Sequence, residues 1–359
     1  MGGGLPPARR FVLPAIFVAA LFVVVFLRQP DRSTGPHEYL VTGPTMGTTF
    51  TVKVVARGGD DTLKERLAGI IRDVLEGVDR AMSTYRTDSE IAAFNRHGTE
   101  NFDASPELME VMKEAQRVAR LSGGAFDITV GPLVDAWGFG PVGAAEPPSE
   151  EALHRLLAVT GFELIEIDLD LGVVRKARAE CRADLSAIAK GFAVDRVAAV
   201  FDEEGFQNYM VEIGGEVRTR GRNGAEKQWR IGIERPDYDT RAVFVTIPLS
   251  DLALATSGDY RNYVERNGVR ISHTIDPRTG HPIAHGLASV SVIHSSCTTA
   301  DALATALEVL GPVDGLSMAE QYDIPAFFLV RIDDNRFEEM HTDVWTALTE
   351  NGPASEPVG

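Results

Sequence analysis

Phe50, Val52 and Val54 alternate with Thr49, Thr51 and Lys53, the period of a half-buried strand. Leu63, Leu67, Ile70, Val74 and Val78 then recur at helical spacing and predict a helix from Thr62 to Met82. Ser105-Pro106-Glu107 supplies an N-cap, an N1 proline and a first-turn acid for a second helix, which Gly123-Gly124 closes. A third helix starts at Ser149 and ends by Gly161. A short hairpin around Leu164–Ile167 and Val173-Val174 precedes a fourth, from about Ser186 to Glu204. The rest reads mainly as strands, at about 207–219, 228–234, 241–257, 260–275, 287–294 and 323–332, with one helix from Thr299 to Leu310. Helices and strands cluster in unlike groups instead of alternating, so the pattern predicts an α+β fold and not a doubly wound sheet. No repeat of fixed period is present.

Composition narrows the function classes. Against 35 Lys+Arg stand 52 Asp+Glu, a formal charge of −17, which argues against an electrostatic nucleic-acid binder. Only Cys181 and Cys297 occur, too few for a disulfide scaffold or a thiolate zinc cluster, and two separate buried thiols are expected. No GxGxxG follows a predicted strand, and GxxxxGK[ST], HExxH and GxSxG motifs are absent, which removes the common nucleotide and hydrolase signatures.

The N-terminus has its own pattern. After a short tail over 1–10, Phe11 to Leu27 form an uncharged apolar run of 17 residues, about 25 Å as a helix, behind Arg9 and Arg10. No small-x-small cleavage site follows, so the expectation is an uncleaved transmembrane anchor, with a cleaved signal peptide as the alternative. The arginines on the two sides balance and leave the orientation open. The polar stretch 28–44 reads as a tether, 45–348 as one catalytic domain, and 349–359 as a flexible tail.

Four clusters carry candidate chemistry. In Ser122-Gly-Gly-Ala-Phe-Asp and its continuation to Phe139, glycines free backbone N–H groups while Phe126 and Trp137 offer flat faces; the same residues also read as a helix end and a turn. Asp184-Leu-Ser-Ala-Ile-Ala-Lys-Gly stands at a helix entrance suited to phosphate, with Lys190 as an added charge; alternatively Asp184 or Ser186 is a plain N-cap. His273 precedes the turn signal Asp276-Pro277 with Gly280, as a residue of a cleft or as a structural histidine. Asp301 and Thr305 lie at i and i+4 on one helical face, where carboxylate and hydroxyl suit a hard ion such as magnesium with phosphate oxygens completing its shell. Thr298 with Asp301 also reads as a capping box.

Taken together, these blocks resemble the ApbE family, flavinyltransferases that move FMN from FAD onto a protein threonine. The resemblance runs from about Thr45 to Val330. It covers Met46-Gly-Thr, Met82-Ser-Thr-Tyr-Arg-Thr-Asp-Ser-Glu-Ile, GAFD, GPLxxxWGF, DLSAIAKGFAVD, Glu212-Ile-Gly-Gly-Glu-Val, ATSGDY, SHTIDPRTG and TTADALATAL. It implies an α+β flavin domain that takes FAD as substrate with Mg2+. The metal would be held by Asp301, the Thr305 hydroxyl and the backbone carbonyl of Ala187, with flavin or adenosine contacts at Met46, Tyr85, Ala125, Phe126, Asp127, Asp184, Lys190 and Ile275. His273 is the candidate base for the acceptor threonine, and Asp276 either orients it or accepts the proton itself. The implied partner is an exported, membrane-associated redox protein. Family members commonly act outside the cytoplasm, so an inner-membrane anchor with the catalytic domain on the periplasmic side is expected. The alternatives are an FAD pyrophosphatase yielding FMN and AMP, and a non-catalytic flavin-binding or delivery protein.

Overall fold

The computed structural model describes residues 35–349 except 59–60, 141–145, 238–241, 259–262, 267–268 and 334–335. The expected membrane segment, the first part of the tether and nearly all of the C-terminal tail lie outside the described residues.

The chain opens with an antiparallel pair, β1 (Pro36–Thr45) and β2 (Thr48–Arg57), joined by the two-residue turn Met46-Gly47. Both turn residues have positive φ, +46° and +71°, the conformation that matches the twist of a tight hairpin. The expected tether over 28–44 is therefore corrected from Pro36 onward: this stretch is a sheet strand, with Tyr39 and Val41 buried. Its alternate positions, Leu40 among them, face away from the core, and β1 is the sheet edge.

Helix α1 (Asp61–Met82) buries Leu67, Ile71, Leu75 and Val78. A short helix α2 (Glu90–Arg96) follows, then β3 (Phe102–Asp103) and α3 (Pro106–Leu121). Ser105 caps α3 as expected, its side chain accepting from the Leu108 N–H at 3.2 Å. Beyond it come α4 (Gly131–Trp137), α5 (Glu150–Leu157), and the hairpin β4 (Ile165–Asp168) and β5 (Val173–Lys176), which joins β3 in a small sheet.

Helix α6 (Ala189–Glu203) starts three residues later than expected, because 186–188 form a turn. The expected strand at 207–219 is a hairpin, β6 (Tyr209–Ile213) and β7 (Glu216–Arg220), turning at Gly214 and Gly215, both with positive φ. The segment 241–257 likewise divides into β9 (Val243–Leu249), paired with β8 (Trp229–Glu234), and β10 (Ala253–Gly258). The 260–275 segment contains the paired strands β11 (Tyr263–Arg266) and β12 (Val269–Ser272). Strand β13 (Leu287–His294) leads into helix α7 (Cys297–Gln321), which breaks at Gly311 (φ 78°) before Pro312, close to its expected end at Leu310. Strands β14 (Ala326–Asp333) and β15 (Arg336–His341) and helix α8 (Asp343–Thr349) complete the described chain; the last two were not expected.

An eight-stranded antiparallel sheet in the order β1-β2-β6-β7-β10-β13-β14-β15 organises these elements, and the fold is α+β. One large core joins the sheet to α1, α3, α6 and α7. On the opposite side Trp229, Ile231, Ile233, Ile247 and Leu249 of the β8–β9 hairpin pack with Leu254, Phe327 and Trp345. Burial at roughly 25 cal/mol per Å2 of apolar area makes these layers the main source of stability. A third, smaller cluster joins Leu133, Leu153 and Ile275 and seats the 275–282 loop on α4 and α5. Both cysteines are buried and free.

Candidate active site

The site forms where α6 meets α7. The first N–H groups of a helix lack intrahelical partners, and Ile188, at the N-cap of α6, offers no side-chain acceptor. Asp301 of α7 fills that role from across the interface: its Oδ2 accepts the Gly191 N–H at 2.9 Å. That N–H would close onto the Ala187 carbonyl if α6 extended backwards, so the cross-helix bond spares this carbonyl. Contact this close requires a glycine. A Cβ on Gly191 would lie 2.8 Å from the Asp301 Cβ and nearer still to the Cys297 carbonyl oxygen.

The arrangement is reciprocal. Asp195 of α6 accepts the Cys297 N–H at 3.0 Å, the Thr298 N–H at 2.9 Å and the Thr298 hydroxyl at 2.8 Å, while Ser296 caps α7 through the Thr299 N–H. The Thr298–Asp301 capping box is thus not formed, and Asp301 caps the other helix. Asp184 and Ser186 do not cap α6 either: Asp184 Oδ1 accepts from the Ser186 N–H and hydroxyl, closing a local turn ahead of the helix.

Lys190, in the first turn of α6, lies between two buried carboxylates. Its Nζ is 2.5 Å from Glu216 Oε1 and 3.9 Å from Asp301 Oδ1. Burial opposes the lysine's charge, but Asp301 and Glu216 outweigh it and hold the ammonium above its ordinary pKa. Burial pushes Glu216 above the usual carboxylate range against the pull of Lys190, with Asp301 adding to the rise. Glu216 was not singled out from the sequence. Its signal was its place just after the Gly214-Gly215 turn, within a block otherwise read as a strand. A Cβ on Gly214 would come within 3.2 Å of Lys190 Cδ and 2.9 Å of Thr48 Cγ2. The β1–β2 turn carrying Met46 therefore adjoins this end of the site.

The other candidates form a connected wall. Ala125, Phe126 and Asp127 are buried, and Ile128, which follows them, accepts the Asp184 N–H at 2.6 Å, tying the first cluster to the second. Asp127 accepts from the Thr129 N–H and hydroxyl, yet burial raises it to about 6 in spite of those bonds. Tyr85 is 69% exposed, and its hydroxyl approaches the Phe139 carbonyl at 3.5 Å. Partial burial, with Asp184 and Asp135 nearby, raises the phenol's pKa. Trp137 Nε1 donates to the Gly280 carbonyl at 2.8 Å, and the Phe139 ring meets that of His273 edge-on at 6.4 Å, so the first and third clusters also meet. Ile275 anchors the loop in the third core cluster. Asp276 receives both the Arg278 Nε and Nη2, at 2.9 and 2.8 Å, and the Arg278 N–H. Its carboxylate thus holds the turn, and a proton-accepting role would require Arg278 to release it. Asp259 and Tyr260 of ATSGDY lie outside the described residues.

No cluster of three His, Cys, Asp or Glu side chains suited to a metal occurs among the described residues. Asp301, the Thr305 hydroxyl one turn along and the Ala187 carbonyl, the ligands the resemblance implies, would offer oxygen donors only, with a single carboxylate. Such a set fits Mg2+, which keeps several positions for water and substrate phosphate.

The ApbE family profile matches residues 46–328. The chain belongs to the ApbE family. It is 47% identical over 296 residues, 82% of this chain and 88% of the relative, to a Vibrio cholerae protein named FAD:protein FMN transferase. A Haemophilus influenzae protein of the same name is 41% identical over 316 residues, covering 86% of this chain and 91% of that one. The solved flavin transferase ApbE from Vibrio cholerae superposes with a TM-score of 0.79 at 44% identity, covering 87% of this chain and 99% of that one. The ApbE match starts at Met46, so β1 lies outside the profile although it is part of the sheet.

Proposed function

We propose that this chain is a magnesium-dependent FAD:protein FMN transferase that passes FMN from FAD to a threonine hydroxyl of an exported redox protein and releases AMP. The coarser part of this reading, an FAD:protein FMN transferase, is the activity named for its relatives. The observation that carries the phosphoryl-transfer chemistry is the convergence of Asp301, Lys190 and the α6 N-terminus on one point. Phosphoryl transfer asks mainly for charge neutralisation and alignment.

In this reading the positive dipole end of α6 and the Lys190 ammonium receive the pyrophosphate. Asp301, Thr305 and the Ala187 carbonyl hold Mg2+, which when bound neutralises phosphate charge. Tyr85 and the 124–127 backbone position the flavin or adenosine, while the Phe126 ring packs in the main core behind them. His273 accepts the hydroxyl proton as threonine attacks phosphorus; the phosphorus–oxygen bond to AMP breaks, and AMP departs. The chain attaches to the inner membrane through Phe11–Leu27, with this domain on the periplasmic side.

The test is a mass spectrum of a threonine-bearing acceptor protein after incubation with FAD, Mg2+ and the full-length chain. An added FMN mass with stoichiometric AMP is expected. Free FMN and AMP without an adduct would make the chain a pyrophosphatase, and intact bound FAD would make it a delivery protein. His273→Ala should lower transfer by roughly 10²–10⁴-fold with little change in FAD affinity. Near-parental turnover with an unchanged pH profile would make that histidine structural.

A further inference from the structure

Glu216 is 1% exposed; one of its carboxylate oxygens meets Lys190, and the other, Oε2, has no hydrogen-bond partner among the described residues. A buried carboxylate left half-satisfied is costly, and nothing in the local hairpin requires it: the turn is made by Gly214 and Gly215. Its one strong contact is with a cation that has two possible partners. Lys190 Nζ is 2.5 Å from Glu216 and 3.9 Å from Asp301 Oδ1. A flexible lysine stem could swing its charge by that distance. The Glu216 carboxylate opposes the swing here.

Asp301 has one oxygen engaged by the Gly191 N–H, so Oδ1 is the oxygen for which a metal and Lys190 compete. We propose that Glu216 is a positioning residue: by holding the Lys190 ammonium it prevents a closed Lys190–Asp301 ion pair and keeps the Asp301 carboxylate open to a divalent cation. This proposal rests on the magnesium reading above. It makes Lys190 a cation held beside the metal site, available to phosphate, and not a competitor inside it.

The test is a Mn2+ titration of the full-length chain, followed by the electron paramagnetic resonance signal of free Mn2+, at FAD concentrations saturating for each variant. Glu216→Gln should weaken Mn2+ uptake by about 10–100-fold, the range for residues that orient metal ligands. Glu216→Asp keeps the charge but withdraws the carboxylate by one methylene, and should weaken uptake as well. Adding Lys190→Met to Glu216→Gln should restore metal uptake, since the competitor is gone. In turnover assays the single variants should need more Mg2+ while approaching parental kcat at saturation. Parental Mn2+ midpoints in both single variants, even with a lowered Tm, would overturn the proposal and leave the magnesium reading standing. Weakening in Glu216→Gln alone, with Glu216→Asp parental, would also overturn it in favour of a simple charge effect. A parent chain that takes up no Mn2+ with FAD present would overturn the magnesium reading and this proposal together.

Discussion

Asp301 does two jobs with two oxygens, and the jobs can be separated. Oδ2 caps α6 through Gly191, while Oδ1 stands open beside Lys190. Asp301→Asn keeps an oxygen for the Gly191 N–H but removes the formal charge. It should therefore unfold within a few degrees of the parent while losing magnesium-dependent turnover. Asp301→Ala should lose turnover and also about 0.5–2 kcal/mol, the range for a missing helix cap. Thermal melts beside activity assays distinguish the two, and an active Asp301→Asn would remove Asp301 from the metal site. Asp127 gives the second residue-scale prediction. Burial, resisted by its bonds to Thr129, raises its carboxyl from an ordinary value near 3.9 to about 6. The folded chain thus binds this proton more tightly than the unfolded chain. The stabilisation is present below about pH 4, declines as pH climbs towards 6, and is gone above that. Asp127→Asn, which keeps an acceptor for Thr129, should gain on the parent in unfolding free energy across that window, by at most about 3 kcal/mol for a two-unit shift, and its Tm should rise accordingly. Its FAD affinity should fall if Asp127 serves the flavin site. A Tm difference that stays flat from pH 4 to 7 would show that the Thr129 bonds already offset the burial.

At the scale of elements, the α6–α7 contact decides the site. Gly191→Ala improves helix propensity by about 1 kcal/mol, yet its methyl would collide with the Cys297 carbonyl and the Asp301 Cβ. Backbone cannot yield as a side-chain tip can, so a net loss of at least about 1–3 kcal/mol is expected, with weaker FAD-dependent metal uptake as Asp301 is displaced. A more stable Gly191→Ala in chemical denaturation would refute this account. The contact also shows which features the sequence could disclose. The stripe of α1 and the Ser105-Pro106 start of α3 were legible because they depend on neighbours within a turn or two. The glycines at 123–124 were legible for the same reason. The cap on Gly191 comes from a residue 110 positions away, and local pattern assigned Asp301 and Asp195 no such partners. Strands β1 and β15 escaped notice because edge strands bury few side chains; β1 buries only Tyr39 and Val41. Glu216 was hidden for a related reason. Read as one position of a continuous 207–219 strand, it gave no sign that a turn at 214–215 would fold it back into a buried site. The candidate site was legible as a set of ordered blocks, because their residue types matched a family, while the bonds joining those blocks were not.

For the whole molecule, the edge strand sets where the domain begins. β1 pairs with β2 along its full length, from Pro36 opposite Arg57 to Thr45 opposite Thr48, and the Tyr39 hydroxyl donates to the Gly58 carbonyl at 2.6 Å. A chain beginning at Met46 would match the family profile but would leave β2 as an open edge, with unpaired backbone groups free to recruit another copy. It would also strip Tyr39 and Val41 from the main core. A chain beginning at Gly35 should therefore be soluble and as active as the full-length protein, whereas one beginning at Met46 should melt lower and aggregate. Size-exclusion profiles and melting curves of the two decide the point. Equal behaviour would show β1 to be dispensable. The same boundary bears on attachment. Only the residues between Leu27 and Gly35 separate the apolar run from the first strand, so an anchor there would hold β1 close to the bilayer surface. If the domain lies on the periplasmic side as proposed, protease added to intact spheroplasts should release a fragment starting near Gly35 that retains FMN transfer. Complete protection of the chain under those conditions would place the domain on the other side of the membrane.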